Sequence, residues 1–375
     1  MFTHIYYIIR SFLFCIKLLF KKYYFDIVFY YPRHFNRGVD GNYYINHILK
    51  SCDKHNISYI LFEEPDFSSN KRRNDDAVCF DFIFIVIIIL RKILNTKNII
   101  KTDHQIGKIL ALSLFRNFYF NNYITLSQSM LSVFSGINLS AKLYDLQHGI
   151  IYNNKKDYIF NGYVADNISK NNVALLLTGS GFRNILLDND KEKYFQKNSY
   201  VIGCNYNSLI KHDYCNNNIL VTLQFTSDHS HIQNKKLFNE IKDYLLNSDA
   251  DIMFYLRHHP RFNNEIDISE LLIEKNINMA PDNIETCFSL CSIHMTTYST
   301  TTFEAALLGI PTIFFSRIDS DFSKNFIENF SYPIDYNITD LYDNSLYQES
   351  SVIIQNWARK YYESFNELNF IKLIQ

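Results

Sequence analysis

Hydroxyl side chains cluster in one segment of the second half of the sequence, between a β-rich run and a helical pattern. The segment reads TYSTTTFEAALLGIP over positions 297–311. Ser299, Thr300 and Thr301 precede the helix, whose free backbone N–H groups can bind a phosphate together with the hydroxyls. Thr301 and Glu304 also match a capping box, which is the structural alternative. Four consecutive hydroxyl residues exceed what a cap requires, so the segment favours an anion site.

A second polar segment, RHHPR, occupies positions 257–261 directly after a predicted strand. Pro260 ends the strand and fixes the turn. Arg257 and His259 are hydrogen-bond donors of the kind that a pyrophosphate or a nucleotide monophosphate requires. His259 is favoured over His258 because it immediately precedes Pro260. A structural role for the histidines is the alternative.

A third segment, QHG, follows a predicted strand in the first half of the chain. Gly149 allows the backbone to turn sharply, which would present His148 at a ligand cleft. A histidine in that position can act as general base on an acceptor hydroxyl or stabilise a leaving phosphate. A hydrogen-bonded structural histidine is the alternative.

Other candidate motifs predict no cofactor or metal. Cys287 and Cys291 lie at i,i+4 on a predicted helix with His294 nearby, and a core face explains them better than zinc, whose structural sites need four ligands. The sequence contains no P-loop and no G-x-S-x-G nucleophile elbow. The protein is therefore expected to use a nucleotide-activated donor as substrate, with no metal.

The elements that must position these segments form two α/β domains. A chain of 375 residues with 47% apolar residues is long enough for two domains with their own cores. Short β-rich runs alternate with helical patterns, which predicts parallel sheets with crossover helices. We expect domains at 1–204 and 219–351, an Asn-rich linker over 205–218, and a long closing helix within 352–375. Two doubly wound domains facing each other would place a ligand cleft between the carboxyl ends of their strands.

Three further segments carry local predictions. Residues 1–22 contain an apolar helix with Arg10, Lys17 and Lys21 on one face, as in a helix that lies on an anionic membrane surface. Packing of this helix on its own domain is the alternative. The run 82–90 is interpreted as a buried helix or strand, and 98–102 as a strand.

Charge and cysteine content restrict the class of protein. The net charge of −1 argues against nonspecific nucleic-acid binding. Seven dispersed cysteines indicate reduced thiols, so we expect a cytoplasmic protein that is peripheral at the inner face of the plasma membrane if the first helix binds lipid.

The three segments, in this order, resemble markers of GT-B-fold transferases of bacterial surface polysaccharide assembly. The relatives that the motifs suggest are capsular polysaccharide glycosyltransferases, sialyl- and Kdo-transferases with a His-Pro motif, and CDP-glycerol glycerophosphotransferases. The resemblance covers about residues 140–315. It implies that His259 contacts the donor phosphate, that Ser299, Thr300 and Thr301 bind phosphate, and that Glu304 holds the ribose hydroxyls.

The same resemblance implies a catalytic role for His148 and a glycan or lipid-linked glycan as acceptor. Two departures leave the donor open. The glycerophosphotransferases carry a small-Pro-Leu-Lys run after the QHG glycine, where this sequence has Ile150, Ile151 and Tyr152. The acidic pair that the sialyltransferases use cannot be placed. A UDP-sugar 2-epimerase and a noncatalytic glycan-assembly scaffold are the competing functions, and the sugar, linkage, stereochemical outcome and oligomeric state are not determined.

Overall fold

The structure is a computed structural model that describes residues 2–36, 42–66, 73–94, 97–205, 215–262, 264–315, 321–334 and 337–375. The chain divides into two compact units. The first contains Met1–Asn205 and Glu363–Gln375, and the second contains Tyr206–Tyr362. Most of the predicted linker, 206–214, lies outside the described residues.

The first unit is built on a seven-stranded parallel sheet. Its strands are β1 (Tyr23–Pro32), β2 (Tyr59–Glu64), β3 (Val78–Cys79), β4 (Phe118–Leu126), β5 (Lys142–Leu146), β8 (Val173–Leu177) and β9 (Ser199–Val201), while β6 (Ile159–Phe160) and β7 (Tyr163–Val164) form a separate hairpin. The strand order β3-β2-β1-β4-β5-β8-β9 reverses direction between β1 and β4. The helices of this unit are α1 (Phe2–Phe20), α2 (Asn46–Lys54), α3 (Asp81–Leu94), α4 (Ile99–Leu112), α5 (Leu131–Ile137), α6 (Asp166–Ser169), α7 (Ser180–Asn189) and α13 (Glu367–Ile374).

The central strands of this sheet are buried on both faces. The run from Ile27 to Tyr31 in β1 is completely buried, as expected for a parallel strand covered by helices on two sides. One face packs against α2 and α13, and α13 contributes Phe370 and Ile374 to this part of the core. The other carries an aromatic cluster in which Phe62, Phe80 and Phe134 contact one another.

The second unit repeats the plan on a five-stranded parallel sheet. Its strands are β10 (Asn218–Leu223), β11 (Met253–His258), β12 (Ile277–Met279), β13 (Ile293–Thr296) and β14 (Thr312–Phe314). Their order, β12-β11-β10-β13-β14, reverses between β10 and β13. The helices are α8 (His231–Leu246), α9 (Ile284–Leu290), α10 (Thr301–Leu307), α11 (Asp321–Phe330) and α12 (Asn344–Tyr361). The prediction of two doubly wound, Rossmann-like α/β units is confirmed.

The predicted long C-terminal helix is present as α12, but it does not continue through 352–375 as one element. The helix ends at Tyr361, and the next residues form backbone hydrogen bonds with the end of the first sheet, where Asn366 N–H donates to the Ile202 carbonyl at 2.7 Å. The Asn366 side chain then caps α13 by accepting from the Asn369 N–H. Backbone pairing with the first unit therefore replaces helix continuation, and α13 belongs to the first unit.

Two predictions for the first half are also corrected. Residues 98–102 begin α4 rather than a strand, because the Asn98 side chain accepts from the Lys101 N–H and caps the helix. The apolar run 82–90 lies in α3, but α3 is only partly buried, and Ile89 is 50% exposed. The predicted N-terminal helix is present as α1.

Candidate functional site

The carboxyl ends of three neighbouring strands bring the second-unit candidates to one edge of its sheet. Strand β10 lies between β11 and β13, and the register pairs Leu223 with His258 and Thr222 with Thr296. The loops that follow these strands therefore leave the sheet at the same edge. Because the strand order reverses between β10 and β13, this edge is a topological switch point, where open α/β sheets bind ligands.

His259 lies in the loop after β11 and is half-buried. Its Nδ1 accepts a hydrogen bond from the Arg261 backbone N–H at 3.0 Å. The neutral ring consequently carries its proton on Nε2, which makes that atom a donor. Burial lowers the pKa of His259, and the neighbouring Arg261 lowers it further, so the ring is neutral at pH 7.

The other basic residues of this segment have structural contacts. The Arg257 Nη1 donates to the Pro281 carbonyl at 2.6 Å, which holds the guanidinium against the loop before α9. The His258 ring stacks on Phe262 with ring centroids 3.9 Å apart. Arg257 and His258 are thus partly engaged by the protein, whereas no residue in the described part of the chain accepts a hydrogen bond from the His259 Nε2.

The hydroxyl-rich turn follows β13 and leads into α10. Thr300 is the N-cap of this helix, and its side chain makes no capping hydrogen bond. The Ser299 Oγ instead accepts from the Thr301 N–H at 3.2 Å and donates to the Thr301 Oγ1 at 2.9 Å. The capping box is therefore absent, the Ser299 hydroxyl rather than the N-cap side chain bonds to the first residue of the helix, and Thr300 and Glu304 are exposed.

The loop after β10 connects the other two loops, and its sequence, with Asp228, His229 and His231 after a strand, suggests a donor-contacting loop. The Asp228 carboxylate forms two hydrogen bonds with Arg261, at 3.1 and 2.6 Å. The next residue, His229, places its Nε2 2.5 Å from the Tyr298 hydroxyl. Burial raises the pKa of Tyr298 to about 12, with Asp228 adding to the effect, so the hydroxyl stays protonated. The sequence signal for this loop is the group of polar residues directly after the apolar strand β10.

In the first unit, the QHG segment follows β5 and is fixed by Gln147. The buried Gln147 Oε1 accepts from the N–H and the hydroxyl of Thr178, at 3.0 and 3.1 Å, and its Nε2 donates to the Gly149 carbonyl at 2.8 Å. These bonds tie the end of β5 to the end of β8. Gly149 does not have a positive φ, so the expectation that glycine is needed for a sharp turn is wrong.

His148 is half-buried at the same edge of the first sheet. Its Nε2 lies 3.1 Å from the Ser127 Oγ, and its ring makes an edge contact with Phe35 at 5.0 Å. The Nδ1 is buried and has no hydrogen-bond partner in the described part of the chain. Burial lowers the pKa of His148 to about 4, and the positive charges of Lys155 and His34 contribute. The imidazole is therefore neutral at physiological pH.

The turn after β4, which carries Ser127, has an unusual backbone. Ser127 and Gln128 have φ of 56° and Met130 has φ of 55°. A left-handed conformation costs a non-glycine residue roughly 1–2 kcal/mol, so three such residues store appreciable strain. Strain of this kind persists only where the surrounding structure determines the backbone.

A buried carboxylate holds this turn. Asp145, on β5, is 1% exposed, and its Oδ1 accepts from the Gln128 N–H at 2.8 Å. Its Oδ2 accepts from the Tyr158 hydroxyl at 3.0 Å. Burial raises the pKa of Asp145 to about 7, and the two hydrogen bonds offset only part of the rise. The sequence contains a signal for this residue, an acid inside the apolar strand LYDL.

Neither a metal-binding cluster nor a membrane-spanning helix occurs in the part of the chain that the structure describes. Within these residues, no group of three His, Cys, Asp or Glu side chains could hold a metal ion. His294 lies inside the second sheet, with its ring nitrogens each 2.9 Å from a threonine hydroxyl, of Thr222 and Thr312. No described helix is long and apolar enough to cross a membrane.

Comparisons with known proteins agree on the fold. No family model and no curated protein matches the sequence. The structure is similar to UDP-GlcNAc 2-epimerase from Methanocaldococcus jannaschii, with a TM-score of 0.51, 13% identity, and coverage of 93% of this chain and 99% of that one. It is also similar to a variant of the wall teichoic acid polymerase TagF, with a TM-score of 0.50, 14% identity, and coverage of 93% and 87%.

These similarities define the class of the protein as an α/β protein of GT-B-like fold, with two Rossmann-like units. The resemblance to the fold of surface-glycan enzymes, first indicated by three short motifs, is thereby confirmed. At 13–14% identity the likeness concerns the fold alone.

Proposed function

We propose that the protein is a glycosyltransferase that moves a sugar from a nucleotide-activated donor to a growing surface glycan or lipid-linked glycan. The observation that carries the proposal is the position of His259, Ser299 and Thr301 at the switch point of the second sheet. A neutral imidazole N–H, hydroxyls and backbone N–H groups are donors that stabilise phosphate oxygens without a metal ion. The fold shared with TagF supports the same conclusion.

In this proposal the donor binds to the second unit. His259 donates from Nε2 to a donor phosphate, and Ser299, Thr300 and Thr301 bind phosphate oxygens as their mutual hydrogen bonds rearrange. The exposed Glu304 accepts from the ribose hydroxyls, as the resemblance implies. Arg257 contributes through the guanidinium nitrogens that do not bond to Pro281.

His148 is proposed as the general base for the acceptor hydroxyl. A base must be unprotonated before it accepts a proton, and a pKa of about 4 keeps His148 neutral across the physiological range. Its ring is fixed by contacts with Ser127 and Phe35, so the base is oriented before substrate arrives.

A thermal-shift measurement with CMP, CDP, UDP, GDP and dTDP tests the donor site. A ligand at 100 times its dissociation constant adds about 2.7 kcal/mol of stability, which raises Tm by a few degrees. We expect one nucleotide to raise Tm, His259→Ala to remove most of that shift, and EDTA to leave it unchanged.

His231→Ala is the matched control for this measurement. His231 is an exposed histidine of the same unit, and it pairs with Glu265 at 2.6 Å rather than facing the proposed phosphate site. This variant should retain the wild-type shift. A nucleotide shift that survives His259→Ala, or no shift with any of the five nucleotides, would contradict the proposed donor site.

An isomerase is the second candidate, favoured by the structural similarity to UDP-GlcNAc 2-epimerase. The two functions differ in their need for an acceptor. An isomerase converts the nucleotide sugar alone, whereas a glycosyltransferase releases the nucleotide only as an acceptor is consumed. Incubation with UDP-GlcNAc alone, followed by NMR of the sugar, separates them, because appearance of a 2-epimer would identify the isomerase.

A CDP-glycerol glycerophosphotransferase is a related alternative, which the similarity to TagF brings forward. The residues after the QHG segment count against it, since Ile151 is completely buried where those enzymes carry a small-Pro-Leu-Lys run. Release of CMP from CDP-glycerol in the presence of acceptor would establish this alternative. If no activated donor gives a product in the same assay, a noncatalytic scaffold is favoured.

We further propose that α1 docks the protein on an anionic membrane surface. Six apolar side chains of α1 are between 45% and 84% exposed, namely Ile5, Tyr6, Ile9, Phe12, Leu13 and Phe20. Four basic residues are exposed in the same region: Arg10, Lys17, Lys21 and Lys22. This combination of apolar and basic side chains complements the interface of an anionic bilayer, into which an amphipathic helix inserts its apolar face.

Vesicle sedimentation tests this surface without truncating the helix, whose Cys15 and Leu18 are part of the core. Binding should require phosphatidylglycerol in phosphatidylcholine vesicles and should be lost in the double variant Ile9→Asp and Phe12→Asp. The control is Ile232→Asp, which alters an even more exposed apolar residue, on α8. Equal sedimentation of all three proteins with anionic vesicles would refute docking through α1.

A further inference from the structure

The side chain within hydrogen-bond distance of the His148 ring belongs to a turn that has a strained backbone. Strands β4 and β5 end level with each other, because Leu126 pairs with Leu146. The first residue after β4 is Ser127, whose exposed Oγ lies 3.1 Å from the His148 Nε2. The rotational position of the His148 ring therefore depends on where this turn places Ser127.

Hydrogen bonds from side chains hold two residues of the turn, Gln128 and Ser129. Asp145 accepts from the Gln128 N–H at 2.8 Å, and the Gln128 side chain donates to the Asp157 carbonyl at 2.6 Å. The Tyr123 hydroxyl donates to the Ser129 carbonyl at 2.6 Å. A backbone with three left-handed non-glycine residues would relax without such bonds. Asp145 and Tyr123 are the buried members of this set, and Asp145 fixes the residue next to Ser127.

Ser127 is not arranged as a nucleophile, although it lies beside a histidine at a strand-to-turn junction. A serine nucleophile needs backbone N–H groups free to stabilise an oxyanion. Here the Gln128 N–H donates to Asp145, and the Ser129 N–H donates to the Leu126 carbonyl at 3.3 Å. The geometry therefore points to Ser127 as a residue that acts on His148.

We propose that Ser127 and Asp145 are positioning residues for His148: Asp145 imposes the left-handed turn, and the turn holds the Ser127 hydroxyl against Nε2. The inference deepens the proposed function, because it rests on His148 being the catalytic base. It names two residues that touch neither donor nor acceptor and act through the histidine.

Carbethoxylation of His148 by diethyl pyrocarbonate tests the arrangement without any substrate. The reagent attacks an unprotonated imidazole nitrogen, and peptide mass spectrometry resolves each histidine. Loss of the hydroxyl in Ser127→Gly should expose Nε2 and raise the His148 rate severalfold. Asp145→Ala should raise it similarly by releasing the turn, whereas Asp145→Asn, which can still accept from the Gln128 N–H, should restore the wild-type rate.

The double variant Ser127→Gly with Asp145→Ala distinguishes a positioning role from general loosening. If Asp145 acts through Ser127, the double variant reacts no faster than Ser127→Gly alone. An additive effect, or an unchanged His148 rate in either single variant, overturns the proposal.

Two controls are read from the same samples. The His259 rate should be the same in every variant, because His259 belongs to the other unit, and a parallel rise there would mean global unfolding and count against the proposal. Labelling of Ser127 by a fluorophosphonate would instead identify a nucleophile. Because no nucleotide is present, failure of this test is separate from failure of the proposed glycosyltransferase activity.

Discussion

The two sheet edges that carry the candidate residues are built in different ways. In the first unit, the turn beside His148 is held by a buried carboxylate, Asp145, and by hydroxyl groups of buried tyrosines. In the second unit, the loops are connected by the Asp228–Arg261 pair, whose side chains are more than half exposed. The first edge is therefore preorganised, and the second can rearrange at low cost when a ligand binds. A fixed base and an adaptable phosphate site suit their different proposed tasks.

The largest expected effect is on the pH dependence of the free energy of unfolding, which Asp145 at the first edge should dominate. The pKa of Asp145 is raised from 3.8 to about 7, so the folded protein holds this proton more tightly than the unfolded chain. The resulting stability is fully present below pH 4 and is lost as the pH rises through 7, at about 1.4 kcal/mol per pH unit. Urea unfolding from pH 4 to pH 8 should show this slope in the wild type, and Asp145→Asn should lack it. Parallel curves for the two proteins would mean that Asp145 is ionised in the folded state.

Replacing one acidic residue at each edge by alanine should lower the free energy of unfolding by unequal amounts. Asp145→Ala leaves the Gln128 N–H and the Tyr158 hydroxyl without their buried acceptor, which costs about 2–4 kcal/mol. Asp228→Ala breaks a pair in solvent and costs less than about 1 kcal/mol. Urea midpoints at pH 5 measure both. Similar losses would show that the first edge is no more rigidly built than the second.

Nucleotide binding, in contrast to stability, should depend more on the second edge than on the first. His259→Ala removes a hydrogen bond to a charged phosphate, worth about 1.5–3 kcal/mol, and should weaken nucleotide binding roughly ten- to hundredfold. His148→Ala should leave nucleotide binding unchanged, because donor binding is assigned to the second unit. Isothermal titration of both variants with the nucleotide found by thermal shift checks the assignment. Equal loss of nucleotide affinity in both variants would contradict the assignment of donor binding to the second unit alone.

The smallest effect is expected from relief of backbone strain. Ser127→Gly exchanges a side chain at φ 56° for a residue that tolerates this conformation, and it also loses a hydrogen bond. We expect a change in unfolding free energy within about 1 kcal/mol, together with the change in His148 reactivity described above. Strong destabilisation would mean that the hydroxyl supports the fold as well as the histidine.

Much of the fold could be predicted from sequence, because apolar runs in parallel strands are continuous and their helical crossovers are periodic. The predictions failed where a local hydrogen bond competed with residue preference. Asn98 caps α4 at a run of β-branched residues, and the backbone after Tyr361 pairs with the first sheet instead of continuing α12.

For the candidate site, likewise, the sequence predicted some residues but not the contacts that hold them. Motif composition singled out His148, His259 and the hydroxyl segment, because each follows a strand end, and the ends of neighbouring parallel strands meet at one edge. It could not predict the contact of Arg257 with the Pro281 carbonyl, which depends on a loop 24 residues away in sequence. Tyr298 and His229 are 69 residues apart, and no local pattern links them.

By itself, the sequence determined the two α/β units and which loops would carry polar side chains, because strand burial and turn chemistry are encoded in neighbouring residues. Only the tertiary structure decided how those side chains are held. It paired Asp145 with Gln128 and Tyr158, brought Ser127 to His148, and made the turn after β4, rather than Gly149, the place where the backbone is left-handed. Such contacts join separate strands and loops, and their geometry is set by packing between elements rather than by the preferences of any one segment.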